Sequence, residues 1–118
     1  MKERLRHPFL LLLLFVVSFR VAWLQIPEDG LVFDETYYVN AARKILSLAT
    51  SSRSGESPIY GYAPEGADPN TEHPPLAKLI IAVFIKAFGD VSWSFRLPSV
   101  ILGVLAVIFL YCLVTKAS

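Results

Sequence analysis

The sequence has little cysteine and almost no imbalance of charge. Its 118 residues include a single cysteine, which excludes an internal disulfide framework. A chain of this length forms at most one ordinary domain. The formal net charge is +1, so no excess of positive charge draws the protein to nucleic acid, and we expect no such partner.

Two long segments lack a polar face. Hydrophobic residues make up 54% of the chain, above the roughly 45–50% of soluble domains. Residues 8–26 (PFLLLLLFVVSFRVAWLQI) and residues 97–115 (LPSVILGVLAVIFLYCLVT) are almost wholly apolar. At about 1.5 Å per residue, a helix of this length just spans a hydrocarbon core of about 30 Å. We therefore predict two transmembrane helices.

The first apolar run also resembles a secretory signal peptide, because Lys2, Arg4 and Arg6 precede it. No cleavage site with small residues follows the leucines, where the sequence reads FRVAWLQIPED. We therefore favour an uncleaved anchor.

Basic residues predict the orientation, because short flanks rich in Lys and Arg stay in the cytoplasm. Residues 1–7 and 116–118 are then cytoplasmic, and residues 27–96 form an external loop. We expect an integral protein of a bacterial or archaeal plasma membrane, in contact with membrane lipids.

The external loop contains two helical patterns. Apolar residues recur with the helical period at about residues 34–49, and Asp34 is a candidate N-cap. A second helix is predicted at residues 75–88, since proline is tolerated in a first turn. The fold class is thus an all-α membrane protein, with two spans flanking a large loop that contains two amphipathic or interfacial helices.

The second loop helix is apolar but too short to span the bilayer. Its lysines, Lys78 and Lys86, lie on one side of a helical wheel. We predict that it lies along the membrane, with both ammonium groups facing water or lipid headgroups.

The acidic pair Asp34–Glu35 allows two interpretations. Both carboxylates suit the start of a helix, where they cap it and interact with its dipole. The functional alternative makes Asp34 a general base that takes a proton from a hydroxyl nucleophile just outside the bilayer. Adjacent helical residues do not face each other, so the two acids are expected to act on different groups.

Four further residues are candidates for substrate binding. His73, in a loop before two prolines, is a structural hydrogen-bonding residue or a ligand-binding one, and Tyr37 is a packing residue or a sugar-stacking one. Lys78 and Arg96 are either interfacial anchors or cations for a lipid phosphate. The spacing of Asp34, Glu35 and His73 does not indicate a metal site, and we expect none.

Three segments in this order resemble one known family. The segments VFDETYYVNAARKIL, EHPPLAKLIIAVFIKAFGD and WSFRLPSVILG are similar to the start of the protein O-mannosyltransferases and their bacterial relatives. These are membrane glycosyltransferases of the GT-C class that use lipid-phosphate-linked sugars. The resemblance runs from about Arg20 to the end of the sequence.

The resemblance implies a mechanism and roles for these residues. Asp34 would deprotonate the acceptor hydroxyl, which attacks the anomeric carbon with inversion, and polyprenyl phosphate leaves. Glu35 would help to place the sugar or the acceptor, which is a protein Ser/Thr, a lipid or a glycan. His73 and Lys78 match the HPPLxK motif, and Arg96 matches an arginine that is important in eukaryotic members. No cofactor is implied. The polyprenyl-phosphate sugar is the donor substrate, and mannose is the family's best-known sugar.

The sequence departs from the family in its number of spans, since members have around eleven and this chain has two. We expect the chain to be the N-terminal part of a larger, split or truncated enzyme, inactive alone and joined by a missing C-terminal part with many spans. The alternative from a different class is a non-catalytic two-span hairpin that acts as a structural or interaction subunit.

Overall fold

A computed structural model describes residues 2–27, 30–50 and 58–117. The described residues form four helices and no strand. They are α1 (Lys2–Trp23), α2 (Glu35–Ile45), α3 (Pro75–Phe88) and α4 (Ser92–Ala117). The predicted all-α class is therefore confirmed.

The two long helices pack as an antiparallel pair. Near one end the rings of Phe9 and Tyr111 stack with their centroids 3.8 Å apart. Near the other end the Arg20 guanidinium donates a long hydrogen bond of 3.4 Å to the Ser99 carbonyl. An added Cβ at Gly103 would lie 2.6 Å from Arg20 Cζ, so glycine is what lets this cation rest against α4.

Both long helices have the length and composition of membrane spans. Among the described residues, Arg6–Trp23 and Ser92–Ala117 are long and apolar enough to cross a bilayer. Their leucine, phenylalanine and valine side chains are largely exposed, which suits lipid as the surrounding solvent. The predicted pair of spans is therefore supported by the structure.

The short helices form a small core at one end of the pair. Val39 and Ala42 of α2, Ala82 and Ile85 of α3, and Phe95 of α4 bury one another. The α2 and α3 residues are three apart, so each helix presents one apolar stripe to the others. Here α3 lies between α2 and α4, and packs on both.

A second set of contacts fixes the far end of α2. The Arg43 guanidinium forms a forked pair with Asp90, with N–O distances of 2.8 and 3.0 Å, and Asp90 lies in the turn between α3 and α4. Asn40, fully buried, donates to the Thr36 carbonyl at 2.7 Å. The Arg43–Asp90 pair therefore fixes α2 against the turn between α3 and α4, whereas the Asn40 contact lies within α2.

Two predicted boundaries differ from the observed ones. The first loop helix ends at Ile45 rather than near residue 49, because Ser47 adopts a positive φ of 58° and the Leu48 N–H turns back to the Arg43 carbonyl. The helix that contains the predicted second span begins at Ser92 rather than at residue 97, and its first turn places Phe95 in the core. The second loop helix, Pro75–Phe88, has the predicted bounds.

The predicted exposure of Lys78 is wrong. Its side chain is fully buried, whereas Lys86 is exposed. The exposed face of α3 is instead apolar and includes Leu76, Leu79 and Val83. Such a face suits contact with a lipid surface, and the interfacial location of α3 stays a prediction.

The tight packing of α2 against α3 predicts a size limit at Ala42. We expect Ala42→Leu to lower the free energy of unfolding by about 1–3 kcal/mol, because the added carbons must displace close-packed neighbours. Ala87→Leu on the exposed side of α3 is the matched control and should change it little. Chemical denaturation in detergent micelles measures both, and equal effects would contradict the described core.

Candidate functional site

The site residues come from the start of α2, the turn before α3 and the start of α4. The α2 helix begins at Glu35, with Asp34 in the N-cap position as predicted. The Asp34 carbonyl accepts hydrogen bonds from the N–H groups of Tyr37 and Tyr38, at 3.0 and 3.1 Å. These bonds place the acid on the first turn of the helix.

The Asp34 side chain does not cap the helix. Its backbone is helical, at φ −64° and ψ −20°, and the carboxylate makes no capping hydrogen bond. The side chain is exposed, and it has no hydrogen bond from the residues that the structure describes. The carboxylate is therefore accessible to a donor from outside these residues.

Glu35, in contrast, is held by Arg96. The Nε and Nη2 atoms of Arg96 each lie 2.9 Å from one carboxylate oxygen of Glu35. The Val32 N–H donates to the same carboxylate at 3.1 Å. This forked geometry joins the start of α2 to the start of α4 across 61 positions of sequence.

Arg96 also binds the backbone that leaves α1. Its Nη1 donates to the carbonyls of Leu24 and Pro27, at 3.4 and 3.0 Å, and its Nη2 donates to the Gly30 carbonyl at 2.9 Å. Together with the two bonds to Glu35, these contacts use all five N–H donors of the guanidinium. A contact from Arg96 to a substrate phosphate would therefore require one of these bonds to open.

Lys78 of α3 likewise binds a carboxylate and backbone carbonyls, which belong to the turn before α3. Its ammonium pairs with the Asp68 carboxylate and donates to the carbonyls of Asn70 and His73, the latter at 3.0 Å. These three acceptors satisfy the three donors of a buried ammonium. Lys78 thus binds protein groups in this structure, and a phosphate contact from it stays a prediction.

His73 reaches back to α2. The His73 ring lies edge-on to the Tyr38 ring, with centroids 5.7 Å apart, and its Nδ1 lies 2.9 Å from the Asn70 Oδ1. Because the Tyr38 N–H bonds the Asp34 carbonyl, His73 and Asp34 approach the same end of α2. Tyr37 is exposed on that turn.

Two cavities border the Arg96–Glu35 pair. One, of about 230 Å³, is lined by Asp34, Tyr38 and Ile81 among others. The second, of about 390 Å³, lies between α1 and α4 and includes Arg20. Glu35, Arg96 and Ser99 line both. Asp34 and Arg20 therefore line two neighbouring cavities.

Tyr60 adds a phenol near Tyr37 and Asp68. Partial burial, with the nearby Tyr62, Tyr37, Asp68 and Glu72, raises the pKa of Tyr60 above its ordinary value. The phenol therefore stays protonated at neutral pH and can donate a hydrogen bond.

No metal-binding cluster is formed by the described residues, since no three His, Cys, Asp or Glu side chains come together. This observation does not test the sequence-based expectation that the protein needs no metal, which stays a prediction.

One comparison with known proteins finds a match to part of the chain. Residues 72–117 match the family model of the dolichyl-phosphate-mannose-protein mannosyltransferases. This match confirms the resemblance to that family over these residues. The matched residues include His73, Lys78 and Arg96, and they cover α3 and α4. Asp34 and Glu35 lie outside the match, but Glu35 binds Arg96 and the Tyr38 ring of the same helix contacts His73.

The other two comparisons found no match, neither to a curated protein nor to a solved structure. The mannosyltransferase match and the two apolar helices indicate a glycosyltransferase-like membrane protein.

Sequence reasoning missed Asp68, Asn70 and Gly103. Asp68 and Asn70 lie in a turn-rich segment without periodicity, so nothing in the pattern distinguishes them from solvent-facing polar residues. Gly103 lies within an apolar run, where its partner Arg20 is 83 positions away in sequence and its closeness shows only in the packed helices.

The contacts of Arg96 predict a specific response to Arg96→Lys. An ammonium cannot reproduce the fork, so the segment before α2 should open more easily. We expect the free energy of opening at the Val32 amide to fall by about 1.5–3 kcal/mol, the contribution of one charge-assisted hydrogen bond. Hydrogen exchange followed by mass spectrometry in micelles measures it.

Arg43→Lys is the matched control, because Arg43 makes a similar fork to Asp90 away from Val32. It should leave exchange at Val32 unchanged. Protection of Val32 that survives Arg96→Lys would contradict the anchoring role of Arg96.

Proposed function

We propose that the chain provides part of the site of a glycosyltransferase that moves a sugar from polyprenyl phosphate to an acceptor hydroxyl. The observation that carries the proposal is the exposed Asp34 carboxylate on the first turn of α2, beside a cavity and joined through the Arg96–Glu35 pair to the family-matched α4. A carboxylate without a capping role is suited to accept a proton.

In the proposed reaction the acceptor oxygen attacks the anomeric carbon of the sugar. Its proton passes to the Asp34 carboxylate, the bond between the anomeric carbon and the phosphate oxygen breaks, and polyprenyl phosphate leaves with the electron pair. Attack on the face opposite the leaving group inverts the anomeric configuration. Mannose is the proposed sugar because the matched family is described by it.

The other residues take supporting roles in this proposal. Glu35 is already held by Arg96 and the Val32 amide, so it fixes the position of Asp34. His73 and Tyr37 lie near the same turn and are the proposed contacts to the sugar. Arg20 lines the larger cavity beside the pair, and Lys78 orders the turn that carries His73.

The proposed orientation places this site on the outer face of a bacterial or archaeal plasma membrane. Lys2, Arg4 and Arg6 at one end of α1, and Lys116 at the same end of the antiparallel pair, favour the cytoplasm. We propose that further membrane-spanning polypeptide provides the remaining walls of the donor pocket. None of the residues of the Arg6–Trp23 span is buried, so the side of α1 away from α4 is open to such a partner.

The proposal predicts that Asp34→Asn abolishes transfer and leaves membrane insertion intact. Loss of a general base slows a reaction by about 10²–10⁴-fold. Membranes from the cell of origin that carry the variant are assayed with radiolabelled polyprenyl-phosphate mannose, and acceptors of protein, lipid and glycan type are separated.

Glu65→Gln is the matched control, since Glu65 is an exposed carboxylate of the same loop. It should leave transfer unchanged. Wild-type rates with Asp34→Asn would remove Asp34 as the base.

A further inference from the structure

Lys78 and Asp68 form a buried ion pair next to His73. The lysine side chain is fully buried, and the Asp68 side chain is 23% exposed. An ammonium buried away from water is costly unless it is paired and hydrogen-bonded. Here one carboxylate neutralises it, and the carbonyls of Asn70 and His73 complete its hydrogen bonds.

The same pair shapes the turn that carries His73. The Asn70 N–H donates to Asp68 Oδ1 at 3.0 Å, and the His73 N–H donates to the Asn70 carbonyl at 3.3 Å. The Lys78 ammonium binds one end of this turn through Asp68 and the other end through the His73 carbonyl. Asp68 and Lys78 therefore set both the path of the turn and the position of the Asn70 side chain.

The Asn70 side chain in turn selects a protonation pattern on the imidazole. Asn70 Oδ1 lies 2.9 Å from His73 Nδ1, and an amide oxygen only accepts hydrogen bonds. With the Asn70 oxygen facing Nδ1, the proton of the neutral ring lies on Nδ1 and Nε2 has the lone pair. No described residue hydrogen-bonds Nε2, and the edge-on Tyr38 ring fixes the plane of the imidazole.

We propose that Asp68 and Lys78 are positioning residues that hold His73 as the Nδ1–H tautomer, so that Nε2 accepts a hydrogen bond from a hydroxyl of the donor sugar. The proposal rests on the proposed function for the identity of that sugar. In this proposal Asp34, which lies one turn before Tyr38, takes the proton of the acceptor hydroxyl.

The tautomer is measurable without any reaction. The sequence contains two histidines, so His7→Gln leaves His73 as the single imidazole. Long-range ¹H–¹⁵N spectra of the full chain in micelles, recorded where the ring is neutral, distinguish Nδ1–H from Nε2–H. We expect the Nδ1–H pattern in this background, and an Nε2–H pattern would overturn the proposal.

Two variants test what sets the tautomer. Asp68→Asn removes the charge that holds Lys78, and Asn70→Ala removes the acceptor alone. Each should change the spectrum to a mixture of tautomers, while Glu65→Gln should leave it unchanged. Helix content from circular dichroism shows whether each variant is folded. A folded variant of either kind that keeps the pure Nδ1–H pattern would overturn the proposal, and Asn70→Ala supplies this test if Asp68→Asn fails to fold.

The hydroxyl contact is tested by kinetics in the membrane assay. Misplacing one neutral hydrogen bond should raise the KM for the lipid-linked sugar about two- to tenfold in Asn70→Ala, with kcat changed less. An unchanged KM would overturn the sugar contact. The tautomer can depend on Asp68 even if the membranes transfer no sugar. That result would support the positioning role of Asp68 and would contradict the proposed function.

Discussion

The five hydrogen bonds of the Arg96 guanidinium are the constraint on which the site depends. They join the start of α4, the backbone that leaves α1 and the first residue of α2. A buried guanidinium is tolerated only when its donors are satisfied, so these three segments must come together in one arrangement. Asp34 directly precedes Glu35, so the same arrangement also fixes the position of Asp34 at the start of α2.

From the sequence, two basic residues were candidates to bind a lipid phosphate. In the folded chain both bind protein groups instead. Arg96 and Lys78 each satisfy backbone carbonyls and one carboxylate. Arg20 has a different environment, with one long hydrogen bond and a glycine beneath it, and it faces the larger cavity. The different roles of these three basic residues therefore become clear only from their contacts in the folded chain.

The sequence predicted the features that depend on local pattern. Two apolar runs predicted α1 and α4, and Pro75 and Gly89 marked the bounds of α3. The HPPLxK and RLPS segments lie within the residues that match the family model. The early start of α4 and the early end of α2 were missed, because burial of Phe95 and the turn at Ser47 are set by packing. The buried Lys78 was missed because a helical wheel gives the direction of a side chain but not the segment that covers it.

The coupling between Glu35 and Arg96 tests the central claim most directly. A double-mutant cycle of Glu35→Gln, Arg96→Gln and the double variant, with unfolding free energies measured in micelles, isolates their interaction. The account predicts a favourable coupling of about 1–3 kcal/mol, since the pair is mostly buried and forked. Additive effects of the two substitutions would show that this pair does not hold the start of α2 on α4, and would contradict the account.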